Sequence, residues 1–166
     1  MNTKTWAERY AGCDCVSGTE ASTFLREHLH WLPRGNALDV AMGEGRNSAL
    51  LVKNGFDVLG VEREPIAIER ARARCGEGLQ ALQLDLEAGW RPEPQAYELV
   101  VVINYLQRDL FESLQDALKP GGALIYESRT VGNFALQSNE LLRVFPKLRV
   151  AAYREWDNRA SFLGFR

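Results

Sequence analysis

Between Ala37 and Asn47 the chain reads ALDVAMGEGRN, an apolar run that breaks at Gly43 and Gly45 where charged and amide side chains begin. Ala37, Leu38, Val40 and Ala41 suit a strand buried on both faces, and NSALLVKNG from Asn47 has the apolar spacing of a helix. The two glycines, lacking a Cβ, can take positive φ and let a ligand approach the main chain. A strand, a glycine turn and a helix in that order aim the free N–H groups of the helix's first turn at the strand's carboxyl end, where ligands of open α/β sheets bind. This is the pattern of a nucleotide-cofactor site. Glu62 follows a second apolar run, FDVLGV, some twenty residues after the turn, the position from which a carboxylate accepts hydrogen bonds from ribose hydroxyls. Ser48 stands where a dinucleotide fingerprint has its third Gly or Ala, which counts against a nicotinamide cofactor.

The elements that must hold these residues alternate. Thr5 to Tyr10 reads as a short entry helix and Glu20 to Trp31 as a longer one that leads through Pro33-Arg34-Gly35 into the first strand. After Glu62, Pro65 starts a helix that Gly76 to Gly78 ends, and Leu79 to Leu84 forms a third strand. Ala88 to Gln95 is a loop, Glu98 to Ile103 a strand of mostly β-branched residues, Leu110 to Leu118 a helix and Ala123 to Glu127 a fifth strand. Such alternation implies a parallel, doubly wound sheet. The end changes character: a short helix over Asn139 to Phe145, then strands over Leu148 to Glu155 and Ala160 to Phe165 joined by Asp157-Asn158, which reads as a terminal hairpin.

Composition agrees with one domain of 166 residues, a quarter of them charged and 46% hydrophobic. A net charge of −2 gives no electrostatic reason for a nucleic-acid partner. MNTKTWAERYAGCDC has no apolar core of a signal peptide and no stretch has the length of a membrane span, so a cytoplasmic location away from membranes is expected. Cys13, Cys15 and Cys75 are read as reduced thiols. The Cys13-Asp14-Cys15 pair has no second ligand pair in reach, and no metal site is expected.

Leu38-Asp39-Val40-Ala41-Met42-Gly43-Glu44-Gly45 resembles the first motif of class I S-adenosylmethionine-dependent methyltransferases, Asp39, Gly43 and Gly45 carrying the match. Gln83-Leu84-Asp85-Leu86 sits where these enzymes place an acid and an apolar neighbour around the adenine, and Leu118-Lys119-Pro120-Gly121-Gly122 looks like their turn before strand five. Within the superfamily the chain is most similar to the tellurite-resistance, TehB-like branch, through Trp6-Ala7-Glu8-Arg9-Tyr10, Gly43-Glu44-Gly45-Arg46-Asn47 and Tyr105-Leu106-Gln107-Arg108. The resemblance covers nearly the whole chain. It implies S-adenosylmethionine as cofactor and a Rossmann-like α/β fold: a doubly wound, mostly parallel seven-stranded sheet with a C-terminal antiparallel hairpin, its last strand inserted between strands five and six. Residues 1–35 would form a helical cap over the cofactor site and 36–166 the core.

Roles follow from that implied fold. Main-chain groups around Ala41, Gly43 and Gly45 approach the cofactor's amino-acid portion, Glu62 grips the ribose, and Asp85 with Leu86 meets the adenine. Asp39 has two readings, a ligand beside the methionine portion or a buried, turn-stabilising carboxylate; for Asp85 the alternative is an Asx-turn. Arg9 pairs with the cofactor carboxylate or lies solvated on the surface, and Arg46 joins the cofactor-binding set. Asn104 and Tyr105 leave strand four at its carboxyl end, beside the sulfonium, and with Arg108 they are the candidates for shaping catalysis; Asn104 also counts as a cofactor contact. Trp6, Tyr10 and Tyr105 offer aromatic faces to a sulfonium or are core aromatics.

The expected reaction is direct displacement of the methyl group by a substrate lone pair, driven by positioning and desolvation. No Cys–His pair or Ser–His–Asp set is evident, so a nucleophile that needs no strong base fits best: a small molecule, either a chalcogen oxyanion such as tellurite or selenite, or a thiol. Arg46, Arg108, Arg129 and Arg154 offer guanidinium forks to an oxyanion or are ordinary surface arginines. The chain would act as a monomer or homodimer. Two other classes stay open: an NAD-dependent oxidoreductase, and a non-catalytic adenosine-cofactor binding protein or subunit.

Overall fold

The computed structural model describes residues 5–13 and 15–166; Asp14 of the Cys13–Cys15 pair and the first four residues of the expected cap lie outside the described residues. Seven strands form one sheet: β1 (Asn36–Val40), β2 (Asp57–Glu62), β3 (Leu79–Gln83), β4 (Tyr97–Ile103), β5 (Leu118–Arg129), β6 (Arg149–Trp156) and β7 (Arg159–Phe165), in the order β3-β2-β1-β4-β5-β7-β6. β1 to β5 pair in parallel, and β7 is antiparallel to both β5 and β6. The helices are α1 (Trp6–Ala11), α2 (Thr23–His28), α3 (Arg46–Lys53), α4 (Pro65–Cys75), α5 (Phe111–Asp116) and α6 (Glu140–Val144). The predicted mostly parallel sheet with an inserted last strand is the observed one.

The near-continuous apolar strands are explained by cover on both faces. Because side chains alternate along a strand, Leu99, Val101 and Ile125 pack on one face with Phe24 and Leu25 of α2, Leu51 of α3 and Ile68 of α4. Val100, Val102, Leu124 and Tyr126 pack on the other with Phe111 and Leu114 of α5 and with Phe145. Full burial of each such side chain contributes about 1.5–3 kcal/mol, so the rigid part of the molecule is the central sheet.

Element boundaries moved where capping chemistry decided them. The helix expected over Glu20 to Trp31 begins only at Thr23, because Ser22 caps it by accepting the Leu25 N–H, and after His28 it tightens into a 3-10 turn over Leu29–Trp31. The Leu118-to-Gly122 turn lies inside β5, where the pairing with β4 jumps from Tyr97–Leu118 to Leu99–Ala123: it is a bulge, made possible by Gly121 at φ 80°. Asp157 and Asn158, both at positive φ, form the two-residue turn between β6 and β7, as their residue types favour.

Candidate functional site

The strand order reverses between β1 and β4, and their carboxyl ends form the crevice where doubly wound sheets bind ligands. The residues leaving these two strands, Ala41 (φ 55°) and Asn104 (φ 61°), are non-glycine residues held in the left-handed region. Strain of this kind persists where the surroundings over-determine it and is characteristic of functional sites. After Ala41, Met42 donates to the Val61 carbonyl, Gly43 turns at φ 56° and Gly45 caps α3 at φ 73°. Both positive-φ glycines are short of room for a Cβ: at Gly45 it would stand 2.8 Å from the Ala71 methyl, closer than real Cβ contacts, and at Gly43 3.1 Å from the Tyr10 hydroxyl, which would have to give way.

Glu62, at the end of β2, is buried and fixed by three main-chain donors: Gly43 N–H on Oε2 (3.0 Å), and Arg63 and Glu64 N–H on Oε1 (2.8 and 2.9 Å). Among the described residues it has no ion-pair partner. A carboxylate has about four lone-pair sites, so it keeps acceptor capacity toward the cleft it lines. That cleft, of about 90 Å³, brings together six of the predicted site residues: Trp6, Ala41, Glu62, Asp85, Leu86 and Tyr105. A wider hollow of about 320 Å³ opens at the opposite end of the sheet, among Asn36, Asp57, Glu93 and Tyr97, far from the glycine turn.

Around the cleft the polar groups are pre-set. Asp85 accepts the Glu87 N–H (2.9 Å), so its Asx-turn and its place at the cleft coexist. The Tyr105 hydroxyl donates to Gln107 Oε1 (2.6 Å), and Gln107 Nε2 donates to the Leu86 carbonyl (3.2 Å), which ties the strand-four loop to the far wall. Burial, helped by Glu87 and Asp85, pushes the Tyr105 phenol up to about 12, so it stays protonated at neutral pH.

Asp39 stands elsewhere. It is buried beneath the turn, accepts the Ser48 hydroxyl (2.6 Å) and is raised to about 7, chiefly by desolvation. This is the position its turn-stabilising reading describes. Arg108 forks onto Glu140 (2.6 and 2.9 Å) and donates to the Ala135 carbonyl, joining the loop after β4 to the segment after β5. Arg9 lies on the Trp6 ring, 4.8 Å from its centroid. Asn104 Oδ1 accepts from Arg159, which also lies 3.7 Å from the buried Glu127.

Three side chains outside the sequence expectation, or with another use than expected, build the approach to the site. Glu44, 1% exposed, accepts the Val16 N–H (2.9 Å) and pairs with Arg70 of α4 (2.7 Å). Arg70 also donates to the carbonyls of Cys13 (2.8 Å) and Tyr10 (3.1 Å). Arg46 donates to the carbonyls of Ser17 (2.7 Å) and Glu20 (3.2 Å). Together they strap residues 10–13 and 15–20 across the glycine turn, with Tyr10 buried above Gly43. An acid between two glycines in an otherwise apolar stretch was the available signal for Glu44. Arg70 had none, since α4 is rich in arginine throughout.

A family model described as a methyltransferase domain matches residues 37–122. A ubiquinone biosynthesis O-methyltransferase of Aliivibrio fischeri is 25% identical over 137 residues, covering 75% of this chain and 58% of the relative. A protein-L-isoaspartate O-methyltransferase of Rhodopseudomonas palustris is 33% identical over 104 residues, covering 61% of this chain and 48% of the relative. The chain thus spans about half the length of the curated relatives it matches. The crystal structure of TehB from Haemophilus influenzae superposes with a TM-score of 0.78 at 16% identity, over 90% of this chain and 63% of that one. With the matched region spanning the glycine turn, Glu62 and Asp85, the chain belongs to the methyltransferase-domain family, as a class I, S-adenosylmethionine-dependent member.

Proposed function

We propose that the cleft at the carboxyl ends of β1, β2 and β4 holds S-adenosylmethionine and that the chain directs its methyl group onto a small-molecule acceptor. The observation that carries this reading is Glu62, a buried carboxylate held by three neutral main-chain donors beside a turn of two positive-φ glycines with little room for a Cβ. Its remaining lone pairs take the ribose hydroxyls. Asp85 accepts from the adenine amine and Leu86 walls the ring. The main chain at Ala41, Gly43 and Gly45 meets the amino-acid portion, beside the buried Tyr10 of α1. When bound, the cofactor supplies an electrophilic methyl group on a sulfonium, open to in-line displacement by a lone pair.

The chain's own part is to orient and to exclude water. Tyr105 and Trp6 present aromatic faces to the cleft, favourable to a cation. Tyr105, kept protonated, donates rather than abstracts a proton. Asp39, fixed on Ser48, and Arg46 and Arg108, bound to carbonyls and a carboxylate, act by holding the turn and the loops in place. With no histidine at the cleft among the described residues and its carboxylates Glu62 and Asp85 taken up by the cofactor, the acceptor is one that brings its own lone pair. A chalcogen oxyanion or a thiol meets that condition. The same reading places the enzyme in the cytoplasm as a monomer or homodimer.

Calorimetric titration with S-adenosylmethionine, S-adenosylhomocysteine and NAD tests the reading. Saturable binding of both adenosyl ligands, weakened in Glu62→Ala and Asp85→Ala and absent for NAD, is the expected result. Failure of folded protein to bind either adenosyl ligand overturns it.

A further inference from the structure

The acceptor's side of the site is open in the reading above, and one stretch of surface next to Asn104 has the chemistry to fill it. In the sheet register, Arg159 of β7 lies opposite Arg129 of β5 on one side and Trp156 of β6 on the other. Directly paired residues of neighbouring strands project from the same face, so Arg129, Arg159 and Trp156 stand abreast at the carboxyl edge. Two residues further into the sheet, the row Glu127–Ser161–Arg154 is covered by α2: Ser22, its cap, donates to Glu127, and Arg154 lies over the Phe24 ring. The outer row has passed the end of that helix and is bare, Trp156 being 80% exposed.

Next to this row, the segment after β5 is pinned at both ends, by Thr130 N–H on the Asn158 carbonyl (2.9 Å) and Leu136 N–H on the Arg129 carbonyl (2.8 Å). The pinned segment carries Val131 and Phe134 outward, the latter 84% exposed and at φ 61°. An aromatic residue in the left-handed region costs free energy, and an exposed ring recovers none of it by packing. Two like charges directly opposite across a strand pair are likewise unfavourable. Arg159 is partly occupied by Asn104 and Glu127, whereas the Arg129 guanidinium has no hydrogen-bond or ion-pair partner among the described residues. Bare aromatic rings and adjacent guanidinium groups match a ligand that is flat, apolar and negatively charged.

We propose that Arg129, Arg159, Trp156 and Phe134 form the acceptor-binding rim, and that the acceptor is a planar organic anion, an aromatic or conjugated carboxylate. Its apolar plate lies against Trp156 and Phe134 and its carboxylate is met by Arg129 and Arg159. Through Arg159 and Asn104 the rim connects to the residue that leaves β4 beside the cofactor cleft. A carboxylate oxygen supplies the lone pair: its bond to the methyl carbon forms as the bond from that carbon to the sulfonium breaks, S-adenosylhomocysteine leaves, and no proton has to be removed. The inference rests on the methyl-transfer reading and puts this class in place of the chalcogen oxyanion or thiol as its acceptor.

The test uses the full chain saturated with S-adenosylhomocysteine and titrated with 2-naphthoate, its neutral analogue 2-naphthamide, and acetate, followed by calorimetry and by the Trp156 indole resonance. Saturable binding of 2-naphthoate is expected, about tenfold tighter than either comparison compound and weakened about tenfold in Arg129→Gln and in Trp156→Ala, with S-adenosylhomocysteine affinity unchanged in both. Phe134→Ala is a third, independent variant should either of the others lose thermal stability. If S-adenosylhomocysteine binds but naphthoate does not, or binds the variants equally, the rim proposal is overturned and the cofactor reading stands. If the adenosyl ligand itself fails to bind, both fall.

Discussion

At the amino end of the sheet Glu98 accepts the Asn36 N–H (2.7 Å) and is neutralised by Lys119; at the carboxyl end Glu62 accepts three main-chain N–H groups and has no cation beside it among the described residues. Both carboxylates organise the turns around them. The wider hollow lies at the amino end and the narrower at the carboxyl end, so volume alone does not single out the carboxyl end. What distinguishes the carboxyl end is convergence: left-handed residues after β1 and β4, a turn of two positive-φ glycines with little room for a Cβ, and an acid held by amides with no cation beside it among the described residues. A carboxylate paired with lysine has finished its work within the fold, whereas one held by amides retains charge and lone pairs for a ligand.

The largest expected effect follows directly from this contrast. Glu62→Ala removes the acceptor for three N–H groups and for the ribose together, so S-adenosylhomocysteine affinity should fall about a hundredfold or more by calorimetry. A fall of less than about threefold would erase the distinction between the two ends of the sheet.

Next comes the strap. Arg70→Ala leaves Glu44, 1% exposed, without the guanidinium it pairs with at 2.7 Å. Breaking a buried pair from one side costs about 3 kcal/mol. Urea denaturation should register that loss, and limited proteolysis should cut residues 12–20 faster. Unchanged proteolysis would mean that Arg46 and the Val16 N–H on Glu44 hold the strap without Arg70.

A third carboxylate sharpens the comparison through pH. Asp39 is raised by burial from an ordinary 3.8 to about 7, so the folded protein binds a proton that the unfolded chain has released. Stability then falls as pH rises from the ordinary value to the raised one and levels off above it, by about 2 kcal/mol between roughly pH 5 and pH 8. Asp39→Asn should remove this slope whatever it does to the overall level, as read from melting temperature against pH. An identical slope in the variant would assign the titration to another group.

Much of this site was legible in the sequence because its signals are local. Gly43, Gly45 and Glu62 are defined by backbone conformation and by position at strand ends, and a parallel sheet places such positions in one crevice whatever the details of packing. Asp85 and Leu86 follow for the same reason. Legibility fails where a role depends on a long-range partner. Arg108 has the residue type and position of an oxyanion ligand, yet its fork is directed at Glu140, thirty-two residues away. Arg46 bonds carbonyls more than twenty-five residues earlier, and the pairing of Glu44 with Arg70 leaves no periodic trace. The Arg129–Arg159–Trp156 row exists only once β7 is inserted between β5 and β6. The helix boundaries at Ser22 and the bulge at Gly121 moved for a local reason, since capping and bulging set limits that apolar periodicity does not encode.

The smallest expected effect is at Glu98, and its smallness is informative. Partial burial works to raise this carboxyl, but the hydrogen bonds from Lys119 and from the Asn36 main chain outweigh it and hold the group below its ordinary value of 4.5. Its contribution to stability is therefore present above that value and lost as pH falls through the lowered one. Glu98→Ala breaks a part-buried lysine pair and leaves the Asn36 N–H to water, costing about 1 kcal/mol at neutral pH. Because Glu98 lies at the other end of the sheet, S-adenosylhomocysteine affinity should stay the same while the melting temperature drops slightly. Were Glu98→Ala to weaken the cofactor as Glu62→Ala does, the ligand would be seated in the wider hollow, and it would be the amide-held carboxylate that serves only the fold.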